Sequence, residues 1–319
     1  MKQIFSILML ALIVAGCSQD SANSSYKKPD APERKGWRSK LPLYGDVESI
    51  TAASYVLEDK FGEIRRSETK GKSIVYFNEA GDVTEHINYH SDGTLGSKEI
   101  YTYDAAGNMT EMARYYSDGS PHNKYIYKYD NKGNLTEEAS YNSDGSLDDK
   151  LICKYDAAGN NTEEARYNSD GSLNQKSIYK YDDKGNMTEG ASYNSDGSRN
   201  YKYIYKYDDK GNKTEEASYN SDGSLDSKYI RKYDDKGNVT EGARYNSGGN
   251  IIETVIYKYD AAGNRTEEAW YDWLYSDGSL NYKTIYKYDD VGNVTGWTEY
   301  KGEIMTPTSQ VEWKIVYRK

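Results

Sequence analysis

Histidine and cysteine are scarce in this sequence of 319 residues, which contains three histidines and two cysteines. A metal site built from these ligands has few positions to use. His86 and His90 are close in sequence, but no further ligands cluster beside them. The motifs Gly-x-Ser-x-Gly and His-Glu-x-x-His are absent, as is a phosphate-binding loop. The sequence therefore predicts a protein that is not an enzyme and that holds no metal or cofactor.

The sequence also lacks a basic block and lacks an apolar run long enough to cross a bilayer. Its 51 acidic and 41 basic residues give a formal net charge of -10, which argues against nucleic acid as a partner. The nearly unbroken apolar run from Ile4 to Val14 follows Lys2 and has the length of a signal-peptide core. These features predict an exported, polar protein.

The apolar run ends in Val14-Ala15-Gly16-Cys17, which resembles the lipobox of bacterial lipoproteins. The resemblance implies cleavage before Cys17 and acylation of this residue, which would anchor the chain in a membrane through lipid. Residues 1–16 are then the signal peptide, and residues 17–40 are the acylated cysteine and a flexible tether. An ordinary signal peptide with a chance cysteine is the alternative. With Cys17 acylated, Cys153 has no partner for an internal disulfide, and we expect it to be a buried strand residue.

Most of the remaining chain is a tandem repeat. The phrase Tyr-Asp-x-x-Gly-Asn recurs seven times with a period of 26 residues; a degenerate copy precedes it at Phe77, and a last copy follows after 29 residues. Such self-similarity indicates units that stack on their neighbours. The residues that recur at the same positions of each copy, and that we expect to form the scaffold, are Tyr103, Gly107, Tyr129, Gly133, Tyr155, Gly159, Tyr181, Gly185, Tyr207, Gly211, Tyr233, Gly237, Tyr259, Gly263, Tyr288 and Gly292.

Each copy contains two runs of alternating β-forming residues, separated by short turns that end in glycine. The prediction is an all-β fold of tandem two-strand repeats, which form an extended or curled antiparallel meander of roughly 20 strands. We expect atypical capping strands in residues 41–76, nine repeats in 77–296 and closing strands in 297–319. A provisional register places Tyr207 opposite Asn212 and Glu215 opposite Lys228.

At these residues the chain resembles the YD-repeat family, the Rhs-type repeats. The match is the repeated Tyr-Asp-x-x-Gly-Asn phrase with a preceding Tyr-x-Tyr strand. In the large members of this family the repeats curl into a hollow β-shell that encloses a toxin domain. The period here is longer and the copies are few, so smaller repeat lipoproteins are the nearer comparison and toxin delivery is not expected.

The 29-residue spacing marks the place where the repeat changes. Three residues are inserted in a segment that contains Trp270, Tyr271, Trp273 and Tyr275. Aromatic residues in an enlarged loop on a rigid scaffold are typical of contact sites, so these four are the candidate ligand contacts. The alternative is an apolar plug that packs near Trp297 and Trp313. The recurring tyrosines, likewise, are either stacking platforms for sugars or packing residues.

The sequence thus predicts a lipid-anchored cell-envelope protein that binds a glycan, a host surface or another envelope protein through multivalent contacts. The outer membrane is the expected location, with the repeats exposed at the surface. The alternative function is a passive coat or spacer without a specific ligand.

Overall fold

The structure is a computed structural model and describes residues 45–60, 63–274, 277–302 and 306–318. The predicted signal peptide, Cys17, the tether and Tyr275 lie outside the described residues. The described residues form twenty β-strands. In chain order these are β1 Val47–Lys60, β2 Glu63–Phe77, β3 Val83–Tyr89, β4 Leu95–Tyr103, β5 Met109–Tyr116, β6 Pro121–Tyr129, β7 Leu135–Asn142, β8 Leu147–Tyr155, β9 Asn161–Asn168, β10 Leu173–Tyr181, β11 Met187–Asn194, β12 Arg199–Tyr207, β13 Lys213–Tyr219, β14 Leu225–Tyr233, β15 Val239–Asn246, β16 Ile251–Tyr259, β17 Arg265–Asp272, β18 Ser279–Tyr288, β19 Val294–Lys301 and β20 Thr306–Tyr317.

The strands form a single closed antiparallel sheet. Every strand pairs with the next strand in sequence, and β20 also pairs with β1 over Val47–Val56. Each strand therefore has two neighbours, which removes the unpaired edges that an open sheet presents to other chains. The predicted all-β repeat fold of roughly 20 strands is confirmed, and of the two predicted shapes the sheet takes the curled one, to the point of closure.

The turns correct the register predicted from the sequence. Asp208 and Asn212 close the turn by a backbone hydrogen bond of 3.0 Å, and Gly211 donates its N–H to the Asp208 carbonyl at 3.0 Å. Tyr207 lies opposite Lys213 rather than Asn212, and a register shift between Lys206 and Tyr207 places Lys206 opposite Glu215. The provisional register did not include this shift, which moves the pairing along the strand.

The same shift changes the predicted ion pair of Glu215. This residue lies opposite Ile230 rather than Lys228, and its carboxylate pairs instead with Lys206 on the preceding strand at 2.9 Å. The observed pairing of β13 with β14 differs from the predicted pairing by two residues. Because side chains alternate between the two faces, a shift of two residues leaves these side chains on the faces that the sequence predicted. The tyrosines of the Tyr-x-Tyr strands share one face, and the intervening Ile and Lys residues share the other.

One face of the closed sheet is crowded and the other is open to water. Tyr127 and Glu138, which are direct cross-strand partners, are 5% and 6% exposed. The Lys128 side chain, which follows Tyr127 and points the other way, is 64% exposed. We call these the inner and the outer face, because closure shields the concave side of a sheet. A hydrophobic cluster lies on the inner face where β1–β7 meet β20, and it includes Ile50 and Trp313.

Cys153 lies on the inner face of β8 and is 5% exposed, as predicted for a buried strand residue. The predicted absence of an internal disulfide concerns Cys17 as well, which lies outside the described residues, so it stays a prediction.

Candidate functional site

The repeated Tyr-Asp-x-x-Gly-Asn phrase builds the turn at one end of each strand pair. In the copy that begins at Tyr181, the Asp182 carboxylate accepts hydrogen bonds from the backbone N–H groups of Lys184 at 3.0 Å and Asn186 at 2.8 Å. A third bond comes from the Asn186 side-chain amide at 3.0 Å, and these bonds hold the pKa of Asp182 below its ordinary value. Gly185 takes the left-handed conformation with φ +83°. The motif residues therefore stabilise a turn.

Replacement of Gly185 by alanine tests this assignment. A Cβ at φ +83° costs about 1–2 kcal/mol, so we expect Gly185→Ala to lower the free energy of unfolding by about that amount. Lys184→Ala, one residue earlier in the same turn, should change it by less than about 0.5 kcal/mol. Denaturant melts followed by circular dichroism provide the measurement. Equal stability of the two variants would contradict the assignment.

The tyrosine that opens each phrase ties one repeat to the one before it. In eight copies its hydroxyl donates a hydrogen bond of 2.6–2.8 Å to a backbone carbonyl 20 to 23 residues earlier. Because this bond orients the hydroxyl along the inner face, the row of tyrosines packs the sheet. The structure thus favours the packing alternative for this row over the sugar-platform alternative. These tyrosines are Tyr103, Tyr129, Tyr155, Tyr181, Tyr207, Tyr233, Tyr259 and Tyr288.

The outer face carries a belt of ion pairs. Glu163 accepts from Lys154 at 2.8 Å and from Lys176 at 2.7 Å, so that one carboxylate joins lysines on both neighbouring strands. The same Lys–Glu–Lys arrangement recurs around Glu137, Glu189 and Glu267. Each exposed pair stabilises the fold only slightly. Together they make the outer face strongly polar over most of the ring.

The belt lacks one lysine on β16, although Lys258 of this strand still pairs with Glu267 of β17 at 2.9 Å. The position that holds lysine in the other repeat copies holds Thr254 here, opposite Tyr271. In the preceding copy Lys228 lies 5.2 Å above the ring of its partner Tyr245, so the exchange of lysine for threonine removes a cationic cover from Tyr271. The lysine row is Lys98, Lys124, Lys150, Lys176, Lys202, Lys228 and Lys283.

The inserted loop fills part of the space that the lysine leaves. The Trp273 backbone N–H extends the strand ladder to the Ile252 carbonyl at 3.0 Å, and its indole N–H donates to the Thr254 hydroxyl at 3.1 Å. Trp273 remains 45% exposed, and Leu274 and Ile256 are 54% and 40% exposed. We call Thr254, Ile256, Tyr271, Trp273 and Leu274 the aromatic patch.

The structure separates the four aromatic residues that the sequence grouped. Tyr271 and Trp273 belong to the patch on the outer face. Trp270 lies on the inner face, where its ring stacks on Tyr282 with centroids 5.7 Å apart and its indole N–H donates to Glu268. Tyr275 lies outside the described residues. Successive strand residues point to opposite faces, so Trp270 and Tyr271 cannot share one contact surface.

Trp270 shares the inner face with the two tryptophans of the predicted plug. Trp297 and Trp313 pack edge to face, with centroids 5.7 Å apart, on the inner face of β19 and β20. Thr254, Ile256 and Leu274 were missed by the sequence reasoning. The signal that could have found them is the single threonine in a row of lysines, which only the repeat alignment reveals.

A hydrogen-bonded chain on the inner face links β2, β3 and β4. The Ser73 hydroxyl lies 2.7 Å from His86 Nε2, and His86 Nδ1 lies 3.4 Å from Glu99. Burial alone would raise the pKa of Glu99, but hydrogen bonds from His86 and Tyr101 and the charge of Arg114 lower it to about 2. The order serine–histidine–carboxylate is that of a hydrolase triad. The backbone N–H groups of these paired strands are hydrogen-bonded within the sheet, however, so they do not form an oxyanion hole. We therefore interpret the hydrogen bonds from Ser73 through His86 to Glu99 as structural.

Within the described ranges, no group of three or more His, Cys, Asp or Glu side chains lies close enough to hold a metal ion. Residues 45–318, apart from the three gaps in the description, contain no helix that is long and apolar enough to cross a membrane.

Comparisons with known proteins show similarity at the level of structure only. No family model and no curated protein matches the sequence. A porin-like protein from Bacteroides uniformis aligns with a TM-score of 0.39 and 9% identity, covering 85% of this chain and 98% of that one. The Tc holotoxin pore of Photorhabdus luminescens aligns with a TM-score of 0.30 and 12% identity, and the TcdB2–TccC3 complex with 0.29 and 14%. These toxin alignments cover 84% and 82% of this chain but only 18% and 17% of theirs.

Proposed function

We propose that this chain is a lipid-anchored protein of the bacterial cell envelope whose closed sheet binds a glycan or protein partner without catalysis. The observation that supports the proposal is the aromatic patch, where Trp273 and Leu274 are exposed beside Thr254, which replaces a lysine of the repeat. Exposed aromatic side chains on a rigid sheet supply contact area at low entropic cost.

The character of the outer face supports attachment through the N-terminal lipid. Lysine side chains at the bilayer midplane cost about 2–4 kcal/mol each, and Lys128 and Lys154 on the outer face are 64% and 65% exposed. A surface of this kind suits water rather than hydrocarbon. The lipobox ending at Cys17 would then supply the membrane contact.

The intact mass of the exported protein tests the anchor. We expect a mature chain that begins at Cys17 and carries acyl chains. Cys17→Ser should leave the protein unprocessed and unacylated. An acyl-free wild-type mass would overturn the anchor.

Binding to glycan arrays and to envelope and host-matrix proteins tests the contact surface. We expect saturable binding by the wild type and at least about tenfold weaker binding by Trp273→Ala, since a central aromatic contact contributes 1.4 kcal/mol or more. Tyr219→Ala is the matched control, because it removes an outer-face tyrosine from an ordinary copy at the position equivalent to Tyr271. Equal loss in both variants would contradict a specific role for the patch.

A passive coat or spacer is the second candidate, and the near-identity of the repeats favours it. Excision of residues 182–207 removes one 26-residue unit, which contains the strand pair β11–β12. A spacer would keep its role after this excision and would show no saturable ligand. Proteinase treatment of intact cells determines on which side of the outer membrane the repeats lie. Digestion of the repeats would place them at the cell surface, whereas protection would exclude contact with a host.

A further inference from the structure

The charged belt also changes at the junction where the sheet closes. Here β18, β19, β20 and β1 border an outer-face cleft of about 410 Å³. Its lining includes Thr51, Lys287, Thr295, Gly296, Glu312 and Lys314. The cleft begins on β18, two strands from β16, and uses none of the residues of the aromatic patch.

The cleft exists because a glycine replaces the glutamate of the repeat. In an ordinary copy Lys206 lies opposite Glu215 and pairs with it at 2.9 Å. Lys287 occupies the equivalent lysine position but lies opposite Gly296. A Cβ at Gly296 would lie 2.3 Å from the backbone oxygen of Val311, so no side chain fits there. The floor of the cleft is therefore bare backbone, and Lys287 loses its usual counter-ion.

The cleft has an excess of positive charge. Six lysines of the row to which Lys287 belongs form ion pairs of 2.8–3.0 Å, whereas Lys287 and Lys314 have none among the described residues. The carboxylate in the lining, Glu312, is already paired with Arg66. Two lysines thus face the cleft without a counter-charge, in a chain whose formal net charge is -10.

We propose that this closure cleft binds an anionic oxygen group, a carboxylate or a phosphate, in the place of the missing glutamate. The ammonium groups of Lys287 and Lys314 provide the charge, and the hydroxyl groups of Thr51 and Thr295 provide neutral donors at the margin. Acidic sugars and phosphorylated envelope polymers both carry such groups. The inference stands independently of the partner of the aromatic patch.

Titration of the purified full chain with inorganic phosphate and, separately, with glucuronate tests the cleft by backbone or lysine NMR shifts. We expect saturable shifts at Lys287 with at least one anion in the millimolar range, weakened by added sodium chloride. Lys287→Gln and Lys314→Gln should each weaken binding about fivefold. Saturation by phosphate alone or by glucuronate alone would identify the chemical source.

Lys206→Gln is the matched control, because Lys206 belongs to the same row and is paired with Glu215. It should leave the affinity for the anion within about twofold of the wild type. Two results would overturn the proposal: no saturable shift with either anion up to tens of millimolar, or an equal loss of affinity in Lys206→Gln and Lys287→Gln.

Discussion

Removal of β20 is expected to abolish the folded state. Truncation before residue 306 leaves β1 and β19 without their shared partner and exposes two strand edges. It also removes Trp313 and Ile315 from the hydrophobic cluster that contains Ile50. We expect an aggregated product without a cooperative unfolding transition, measured by size-exclusion chromatography and calorimetry.

A point substitution tests the closure of the sheet without removal of a strand. Gly296→Ala places a Cβ against the Val311 carbonyl in the β19–β20 pair, where only backbone movement can relieve the contact. We expect a loss of about 2–3 kcal/mol in the free energy of unfolding. Gly190→Ala is the control, because the nearest atoms to its Cβ would be the Tyr179 ring at 3.4 Å and the Met187 sulfur at 4.0 Å, which are ordinary contacts. A soluble, cooperatively folding truncation, or equal stability of both variants, would contradict the importance of closure.

Replacement of Glu138 by glutamine is expected to stabilise the protein at neutral and alkaline pH. Glu138 is 6% exposed on the inner face, and its Oε2 has no hydrogen-bond partner among the described residues. Burial raises the pKa of Glu138 from 4.5 to about 7; the charge of Arg166 opposes the shift, and Asp149 and Glu164 add to it. The folded state therefore binds this proton more tightly than the unfolded chain does.

The sign of the pH dependence follows from that raised pKa. Stability from the protonated Glu138 is fully present below pH 4.5 and is lost as the pH rises to about 7, a change of about 3 kcal/mol. We expect Glu138→Gln to match the wild type near pH 4.5 and to exceed its stability by up to about 3 kcal/mol at pH 8. Urea melts across this range provide the measurement.

Glu99→Gln is the control of opposite sign. Since the pKa of Glu99 is lowered to about 2, its stabilisation is present above pH 4.5 and disappears as the pH falls toward 2. Glu99→Gln should therefore be less stable than the wild type at pH 8. The account of the inner face would be wrong if both variants shifted stability in the same direction at that pH.

The fold was predictable because every repeat copy carries the same pattern of strand and turn residues. The glycines at fixed spacing and the alternation of Tyr203, Ile204 and Tyr205 predicted strands, turns and faces correctly. The register was not predictable to the residue, because the register shift after Lys206 depends on backbone geometry that the sequence pattern does not encode. Closure was also left open, since it depends on the summed curvature of all twenty strands.

The candidate site was only partly predictable for a related reason. The insertion near Trp273 indicated the right segment, but the grouping with Trp270 ignored strand alternation. The contribution of Thr254 depends on the partner strand, because its equivalent Lys228 covers a tyrosine of the next strand, Tyr245. Likewise, the requirement for glycine at position 296 arises from the Val311 carbonyl beside it, which belongs to a different strand.

Restoring the repeat residue in the patch tests the central claim most directly. Thr254→Lys returns the lysine of the other copies, which would cover Tyr271 and remove the hydroxyl that accepts from Trp273. Binding isotherms of wild type and variant against the same partner, with matched circular dichroism spectra, form the measurement. The account predicts at least about tenfold weaker binding by an equally folded variant. Unchanged affinity would show that the aromatic patch is not the contact surface.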